Sequence, residues 1–502
     1  MSVHSHATRF SGDLPDAFGP MTEIEQDPTA PATATPTSSG GRSDDEQIAH
    51  VRRLRKEAVA KYRPIFETLA EKIRVMARMV REVQLSARED GISPEIIASE
   101  IANRTIGDVN VRLISENIDG VDYTTIGEDL GLILPGEEIG GRISTGEVRR
   151  ELARREEAIE RRLLDEYNWD MRVYDVYGVG NPLLREMLAA RFEETWGIPT
   201  DPDQTFITIG ALDALNKAIL TLGSHFKKKF GEACTFAFPA PGFAVVNWQV
   251  QMAGVNLLKV RTAEESSFKL TAGQLKQLLG EHPQLRLLYL TVSNNPTAFS
   301  YSPEEIADLY RVIEEDGREL AVLADLAYIG TGVEEDDRAR MQALNTPFAR
   351  SCTVYINSLS KVYTVTGDRC GWVSVESAEW ADLLKVAWNN MTAGLPASWQ
   401  LHYTALVEWL GEHPEIQAKI KGLYKLRREH FRKQLQELDA RFDLFDEIGL
   451  DDETTIYNWS KLKPGEDALT LFEKTGLAGV SGSAFGYEDQ YIRFSVGFIP
   501  IS

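Results

Sequence analysis

Three stretches of the sequence place reactive side chains directly after short apolar runs. The stretches are RLLYLTVSNNPT, ELAVLADLAYIG and CTVYINSLSKVYTVTGDRCGW. In an open α/β sheet, ligands gather where strands end in loops, so we expect the side chains after these runs to lie close together. These side chains are Asn295, Asp325, Tyr328, Ser358, Ser360, Lys361 and Arg369.

A lysine, a carboxylate, a tyrosine, an asparagine and an arginine at strand ends are the groups that a pyridoxal 5'-phosphate (PLP) site needs. The lysine amine forms a Schiff base with the aldehyde, and a carboxylate keeps the pyridine nitrogen protonated, so that the ring accepts electrons from a substrate carbanion. Hydroxyls and a bidentate arginine hold the phosphate. Asparagine and tyrosine donate to the phenolate oxygen of the ring. The sequence therefore predicts PLP as the cofactor and no metal ion.

These motifs resemble those of the class I and II aminotransferases, which are fold-type I PLP enzymes of the aspartate aminotransferase superfamily. The most specific motif is Ser-x-Ser-Lys with an arginine eight residues after the lysine, and it occupies residues 358–369. Family motifs occur in the correct order over most of the chain. The resemblance implies that Lys361, Asp325 and Tyr328 are catalytic. It also implies that Asn295 and Tyr328 bind the phenolate oxygen of the cofactor.

Weaker matches complete the predicted cofactor site. ITIGALDAL resembles the glycine-rich loop that opens a helix and holds the phosphate with backbone amides, which implicates Gly210, Ala211 and Leu212. PAPGFAVV resembles the segment that stacks an aromatic ring on the pyridine face, which implicates Phe243. Leu212 replaces the usual hydroxyl of the phosphate loop, so we expect one side-chain donor fewer for the phosphate.

Three further matches concern the substrate and a second subunit. TIGDV and IRFSVGF resemble segments at the substrate α-carboxylate, which implicates Gly107 and Arg493, with Asn295 also contacting the substrate. YGVGNPLLR resembles the segment whose tyrosine reaches the neighbouring subunit's phosphate, which implies Tyr177 and a homodimer with shared active sites. Gly107 and Tyr177 are 70 positions apart, more than we expect for the family. This spacing predicts an insertion around residues 118–160 that covers or reshapes the substrate entrance.

The elements that must position these residues follow from the alternation of short apolar runs with amphipathic helices. Such alternation predicts a mainly parallel sheet covered on both faces. Beyond Lys361 the chain is helix-rich, with a long helix from about Glu415 to Leu438 and two strand-like runs, TTIYNWSKL and YIRFSVGF. We therefore expect an α/β protein of PLP-dependent transferase fold type I. It would have a large domain with a mainly parallel sheet and a smaller α+β domain.

The predicted domain organisation has four parts. Residues 1–47 are rich in Pro, Thr, Ser and Gly, which predicts a disordered tail. Apolar residues recur at helical spacing after this tail, and Pro64 is predicted to start a second helix there. Residues 48–110 would form this helical segment and part of the small domain. Residues 111–395 would form the large PLP-binding domain, and residues 396–502 the C-terminal small domain.

Composition and charge limit the partners and the cellular compartment that we expect for this protein. The formal charge is −22, from 54 Lys and Arg against 76 Asp and Glu, which argues against binding nucleic acid through its phosphates. No apolar run approaches the ~20 residues of a membrane helix. Three cysteines without a CxxC pair fit a reducing compartment. We therefore expect a cytoplasmic enzyme that binds a small amino-acid substrate, with no nucleic acid and no membrane as partner.

The main hypothesis is a PLP-dependent aminotransferase that acts on an α-amino acid through a Lys361 Schiff base and a quinonoid intermediate. An alternative keeps the cofactor but eliminates or replaces a β or γ group, for example on S-adenosylmethionine, with possible C–C bond formation to a second substrate. The spacing from Tyr177 to Gly180 resembles the 1-aminocyclopropane-1-carboxylate synthases slightly more than aspartate aminotransferase. A non-catalytic regulator ranks last, because Lys361 and Asp325 are both present.

Overall fold

The computed structural model describes residues 42–68, 72–109, 111, 117–118, 120–139, 141–175, 177–230, 234–452 and 454–500. The described helices are α1 Asp44–Thr68, α2 Lys72–Glu89, α3 Pro94–Glu100, α4 Ile126–Asp129, α5 Glu147–Tyr167, α6 Pro182–Trp196, α7 Ala211–Phe230, α8 Val245–Met252, α9 Ala272–Glu281, α10 Pro303–Asp316, α11 Glu334–Ala343, α12 Pro347–Cys352, α13 Ala378–Thr392, α14 Ala397–Glu412, α15 Pro414–Phe442 and α16 Ala468–Thr475. The described strands are β1 Ala102–Asn103, β2 Asn117–Ile118, β3 Val121–Asp122, β4 Glu138–Ile139, β5 Arg142–Ile143, β6 Thr205–Thr208, β7 Thr235–Ala240, β8 Asn256–Arg261, β9 Leu285–Thr291, β10 Ala321–Asp325, β11 Thr353–Ser358, β12 Gly371–Val375, β13 Phe445–Glu447, β14 Tyr457–Leu462, β15 Leu477–Ala478, β16 Val480–Ser481 and β17 Tyr491–Ser495.

A seven-stranded sheet in the order β6-β12-β11-β10-β9-β7-β8 forms the centre of the molecule. Strands β11, β10, β9, β7 and β8 run parallel to one another, whereas β12 is antiparallel to both of its neighbours. Every residue of β10 and β11 is buried, as expected for central strands covered by helices on both faces. The predicted α/β architecture with a mainly parallel sheet is therefore confirmed.

The helix after β9 shows how the local sequence sets the bounds of an element. The backbone N–H of Glu305 donates to the Ser302 hydroxyl at 3.2 Å, and the Ser302 N–H donates to the Glu305 carboxylate at 2.7 Å. This reciprocal capping box satisfies two N–H groups that a helix start leaves unpaired. Pro303 occupies the first turn, and Gly317 ends the helix with a φ of +72°. The residues at these two positions thus set both ends of α10.

A smaller antiparallel sheet, in the order β13-β14-β17-β16, lies in the C-terminal part of the chain and carries Arg493 on β17. The N-terminal part of the chain packs on the same region. Strand β1 pairs in parallel with β15, α1 packs on α16, and α2 packs on β16. Both ends of the chain therefore support the strand that carries Arg493. The domain boundaries at residues 110 and 395 stay predictions.

The region of the predicted insertion contains two short hairpins, β2–β3 and β4–β5, followed by α5. Helix α5 packs on α14, and Arg155 pairs with Glu412 at 2.6 Å and with Glu408 at 3.3 Å. Asp129 of α4 pairs with Lys419 of α15 at 2.7 Å. The described part of the insertion is thus held on α14 and α15. Its effect on the substrate entrance stays a prediction.

The N-terminal helices differ from the prediction in two details. Helix α1 begins four residues earlier than predicted. The reason is a capping pair, in which the Ser43 N–H donates to the Glu46 carboxylate at 2.9 Å and the Glu46 N–H donates to the Ser43 hydroxyl at 3.4 Å. Pro64 lies inside α1 and does not start a second helix. Burial of Val59 and Phe66, on either side of this proline, favours continuation of the helix through it.

Most of the predicted disordered tail, residues 1–41, lies outside the described residues. Within the described part of the chain, no helix combines the length and the apolar character that crossing a membrane requires. Cys234, Cys352 and Cys370 are buried and form no disulfide with one another.

Candidate active site

The carboxyl ends of β9, β10 and β11 lie side by side. In the parallel register, Asp325 at the end of β10 is level with Thr291 of β9 and Ile356 of β11. The loops that follow these three strands therefore start from one edge of the sheet. That edge carries the residues that the sequence predicted to meet there, which are Asn295, Asp325, Tyr328, Ser358, Ser360, Lys361 and Arg369.

Lys361 is partly buried, and its amine donates to the carbonyl oxygen of Gly107. Burial is the main cause that lowers the pKa of this amine from 10.5 to about 8. The negative charge of Asp108 opposes the shift, and the positive charges of Arg493 and Arg369 reinforce it. A lysine amine with a lowered pKa is available as a nucleophile or a base near neutral pH.

Asp325 is buried, and two hydrogen bonds fix its carboxylate. The Tyr289 hydroxyl on β9 donates to Oδ2 at 2.7 Å, and the Ala327 N–H donates to Oδ1 at 3.0 Å. Burial raises the pKa of the Asp325 carboxyl, whereas these two bonds oppose the rise. Such a carboxylate is suited to a cationic partner, because a neighbouring positive charge stabilises its ionised form.

Arg493 is joined to Tyr328 through Asn295. The Arg493 guanidinium donates from Nη1 to Asn295 Oδ1 at 3.0 Å and from Nη2 to the Thr105 carbonyl at 2.6 Å. Asn295 Nδ2 donates to the Tyr328 hydroxyl oxygen at 3.4 Å. Burial raises the pKa of Tyr328 well above its usual value, so its hydroxyl keeps its proton. The structure thus brings the predicted carboxylate clamp and the predicted phenolate-binding pair into one buried network.

The predicted phosphate loop lies against Arg369. Gly210 precedes α7 with a φ of +92°, and a Cβ atom there would lie 3.0 Å from Arg369 Cζ. Arg369 Nη2 donates to the Ile209 carbonyl at 3.3 Å, which holds the guanidinium on this loop. The first N–H groups of a helix have no partner within the helix, so those of Ala211 and Leu212 at the start of α7 suit an anion.

Two buried serines complete this corner of the site. The Ser360 N–H donates to Ser358 Oγ at 3.1 Å, and the two hydroxyl oxygens are 2.9 Å apart. Their loop joins β11 to the segment that carries Lys361 and Arg369. The corner therefore offers hydroxyls, helix-end amides and a guanidinium, which are the donors that a phosphate prefers.

Two predicted residues remain at the periphery of this network. Tyr177 is 61% exposed, and its backbone N–H donates to Asp175 Oδ1 at 3.0 Å. Phe243 follows β7, is partly buried and packs against the main apolar core. The adjacent Gly242 N–H donates to the Phe485 carbonyl at 3.1 Å. The roles assigned to Tyr177 and Phe243 from the resemblance stay predictions.

Three tyrosines of the site were not predicted from the sequence. Tyr289 bonds Asp325, and the Tyr424 hydroxyl on α15 donates to the Lys361 carbonyl oxygen at 2.5 Å. The Tyr457 hydroxyl on β14 lies 2.9 Å from that of Tyr328. Tyr289 had a detectable signal, since it is the polar member of the apolar run before NNPT. Tyr424 and Tyr457 are far from the other motifs in sequence and carry no such local signal.

The residues present fit PLP. The sheet edge that carries the Lys361 amine, whose pKa is lowered, also carries a fixed carboxylate, a protonated phenol and a corner of phosphate donors. A Cβ at residue 210 would crowd Arg369, so the glycine there leaves room beside the guanidinium. The donor set offers one partner each for an aldehyde, a pyridine nitrogen, a phenolate oxygen and a phosphate.

Comparison with known proteins gives concordant matches. The family model described as aminotransferase class I and II matches residues 170–498. An LL-diaminopimelate aminotransferase of Maridesulfovibrio salexigens is 25% identical over 296 residues, which cover 57% of this chain and 72% of the relative. Aromatic-amino-acid aminotransferase 2 of Thermococcus litoralis is 29% identical over 329 residues, which cover 62% of this chain and 76% of the relative.

A solved structure shows the same fold. Aspartate aminotransferase from Thermus thermophilus with maleate aligns with a TM-score of 0.60 at 18% identity, over 84% of this chain and 92% of that chain. At this level of identity the likeness bears on the fold alone. The predicted PLP-dependent transferase fold type I is thereby confirmed.

Proposed function

Because the chain belongs to the class I and II aminotransferase family, whose members are PLP-dependent transferases, we propose that it transfers the amino group of an α-amino acid at Lys361. The observation that carries this proposal is the buried hydrogen-bond network from Arg493 through Asn295 to Tyr328. Arg493 also lies within electrostatic reach of the Lys361 amine, whose pKa it helps to lower. Arg493, which would bind a carboxylate, is thus linked by hydrogen bonds to Tyr328, which would bind the cofactor. The same arginine acts on the reactive amine of Lys361.

When bound, PLP supplies an aldehyde that condenses with amines and a ring that withdraws electrons from the substrate Cα. Asp325 would hold the proton on the pyridine nitrogen, since Tyr289 and Ala327 keep its carboxylate fixed and accepting. Tyr328 and Asn295 would donate to the phenolate oxygen. The phosphate would be held by the residues of its corner, which are Gly210, Ala211, Leu212, Ser358, Ser360 and Arg369.

Lys361 would act twice in the reaction. Its amine would hold the cofactor and, once displaced by the substrate amine, would take the proton from the substrate Cα and return a proton to the carbon that the cofactor aldehyde supplies. A pKa lowered to about 8 suits both roles, because the amine accepts a proton readily and still exists partly uncharged near neutral pH. Arg493 would fix the α-carboxylate and so orient the Cα–H bond toward Lys361.

The substrate class follows from Arg493. The relatives are named for LL-diaminopimelate, aromatic amino acids and aspartate, and these amino acids share an α-carboxylate beside an α-amine. Arg493 is almost fully buried, and Asn295 and the Thr105 carbonyl fix its orientation. We therefore propose that the enzyme recognises the α-amino acid head group through Arg493, with Gly107 beside it, and leave the side chain of the substrate unassigned.

The proposal includes a homodimer in the cytoplasm. Tyr177 is 61% exposed, beside Tyr174 at 84% and Val173 at 65%, which is a large exposed apolar surface for one short segment. Such a surface supports contact with a second copy of the chain. Tyr177 would then donate to the phosphate of the cofactor bound in that second subunit. Three cysteines that form no disulfide with one another are consistent with the reducing cytoplasm.

An absorption spectrum tests the proposed function. Purified protein mixed with PLP should show a visible band that Lys361→Ala abolishes and that the matched control Lys56→Ala, at an exposed lysine of α1, retains. Amino acids should then bleach the band, and a keto acid should restore it. A wild-type protein without any visible band would overturn the proposal.

The same samples distinguish transamination from the elimination chemistry that the sequence left open. A transaminase requires a keto-acid acceptor for turnover and accumulates the amine form of the cofactor without one. An enzyme that eliminates a β or γ group releases that group with no acceptor present. We expect turnover of amino acids to stop when the acceptor is withheld, and leaving-group release from S-adenosylmethionine without an acceptor would contradict transamination.

A further inference from the structure

Tyr457 lies at the centre of the network that joins Arg493 to Tyr328. It is on β14, where it pairs with Ser495 of β17, two residues beyond Arg493. Residues in this diagonal relation project from the same face of a sheet. Accordingly, the Arg493 guanidinium carbon lies 4.4 Å from the centroid of the Tyr457 ring. The ring also meets Tyr328 edge-on, with centroids 5.5 Å apart, so Tyr457 contacts both ends of the network.

The hydroxyl of Tyr457 is closely confined. Tyr457 is 2% exposed, and a Cβ atom at Gly107 would overlap its hydroxyl oxygen. Among the residues that the structure describes, the Tyr328 oxygen, at 2.9 Å, is the acceptor that this hydroxyl reaches. A buried hydroxyl proton without an acceptor is unfavourable, so the proton of Tyr457 belongs on the line to Tyr328.

The orientation of Asn295 fixes the rest of the network. Arginine has donors only, so the Asn295 atom that faces Arg493 must be its oxygen, and its amide nitrogen then faces Tyr328. The Tyr328 oxygen therefore receives one bond from Asn295. A second bond, from Tyr457, fills its remaining acceptor capacity and leaves its own proton as the single group that it can donate.

We propose that Tyr457 is a positioning residue for Tyr328: its hydroxyl donates to the Tyr328 oxygen and so directs the Tyr328 proton toward the phenolate oxygen of the cofactor. This inference rests on the proposed function. The opposite arrangement, with Tyr328 donating to Tyr457, would leave the Tyr457 proton without an acceptor among the described residues. It would also turn the Tyr328 proton away from the cofactor. A donor that is itself hydrogen-bonded at its oxygen donates more strongly, so Tyr457 also strengthens the bond that Tyr328 makes.

The pH titration of the visible band of the PLP-loaded protein provides the readout. The midpoint of this titration reports the proton on the nitrogen that joins Lys361 to the cofactor. Donors to the phenolate oxygen stabilise its charge when that proton has left, and they therefore lower the midpoint. Tyr457→Phe keeps the ring on which Arg493 packs and removes only the hydroxyl. We expect the midpoint to rise by about 0.5 pH unit, the order of a lost polarising hydrogen bond.

A double-mutant cycle shows whether Tyr457 acts through Tyr328. Tyr328→Phe alone should raise the midpoint further than Tyr457→Phe does, and adding Tyr457→Phe to it should change nothing more. Tyr310→Phe is the matched control. It removes another buried tyrosine hydroxyl, 2.6 Å from Thr353 Oγ1 at the opposite end of β11, and should leave the midpoint at the wild-type value.

The outcomes separate this inference from the proposed function. A wild-type protein without a visible band overturns both. A band whose midpoint is unchanged or lowered in Tyr457→Phe overturns the role of Tyr457 alone, as does an equal rise in the Tyr328→Phe background. Thermal melts establish that each variant is folded. If Tyr457→Phe does not fold, Gly107→Ala displaces the same hydroxyl by steric overlap, and a midpoint that fails to rise in this variant overturns the inference.

Discussion

Replacing Lys361 by methionine should stabilise the cofactor-free protein at neutral pH. Burial, reinforced by Arg493 and Arg369, lowers the pKa of the Lys361 amine from 10.5 to about 8. At about 1.4 kcal/mol per pH unit, this difference corresponds to an unfavourable contribution of about 3 kcal/mol from the charged amine in the folded state. Methionine has similar length and no charge, so Lys361→Met should raise the free energy of unfolding by about 2–3 kcal/mol at pH 7.

The pH dependence gives the sign of this effect. Below pH 8 Lys361 is protonated in both the folded and the unfolded chain, so the full penalty is present. Between pH 8 and 10.5 the unfolded chain binds more protons than the folded chain, and the stability of the wild type therefore rises with pH. Above this window the amine is neutral in both states. The advantage of Lys361→Met should thus shrink toward zero as the pH approaches 10.5.

Urea unfolding at a series of pH values measures this difference. Wild type, Lys361→Met and the exposed control Lys56→Met should be compared after removal of the cofactor. The control should differ from the wild type by a small amount that does not change with pH. A Lys361→Met protein that is less stable than the wild type at pH 7, or whose advantage is the same at pH 7 and pH 10, would refute the argument that burial destabilises a charged Lys361.

Three further predictions follow from the site. Gly371→Ala should destabilise the fold by about 1–3 kcal/mol in a thermal melt, since its Cβ would lie 2.7 Å from the backbone of the loop before α7. The control Gly367→Ala should have little effect, because no atom lies within 4 Å of the added Cβ. Tyr289→Phe should raise the dissociation constant of PLP about tenfold in an absorbance titration, because Asp325 loses a hydrogen bond to its charged form; an unchanged constant would argue against that role. Arg369→Lys should weaken PLP binding about 10- to 100-fold in equilibrium dialysis but leave binding of pyridoxal, which lacks the phosphate, unaltered.

Most of the fold and the strand-end part of the site could be predicted because both depend on short-range patterns. Apolar runs locate the buried strands, and capping residues such as Ser302 locate the helix ends. Parallel strands in one sheet place their carboxyl ends together, so Asp325 and Lys361 could be assigned to one edge without knowledge of any distance. The motif around Lys361 then indicated that the site binds PLP.

The tyrosines that support the site could not be predicted in this way. Tyr289 bonds Asp325 only because β9 and β10 are adjacent and in a particular register, which an apolar run does not specify. Tyr457 meets Tyr328 across 129 positions of sequence, through the packing of the small antiparallel sheet on the strand-end loops. Contacts between distant segments depend on tertiary packing, whereas local motifs carry information about their own segment.

The charge distribution of the site suggests how binding is coupled to reactivity. The protein has a formal charge of −22, yet Arg369 and Arg493 lie close enough to Lys361 to lower its pKa, and among the described residues the charge of Asp108 opposes them. An anion bound at either arginine must therefore raise the basicity of Lys361, since the effect of charge on affinity is reciprocal. On the proposed function, a substrate carboxylate at Arg493 would make Lys361 a stronger base when it has to take the proton from the substrate Cα. The arginine that selects the substrate would in this way also adjust the group that acts on it.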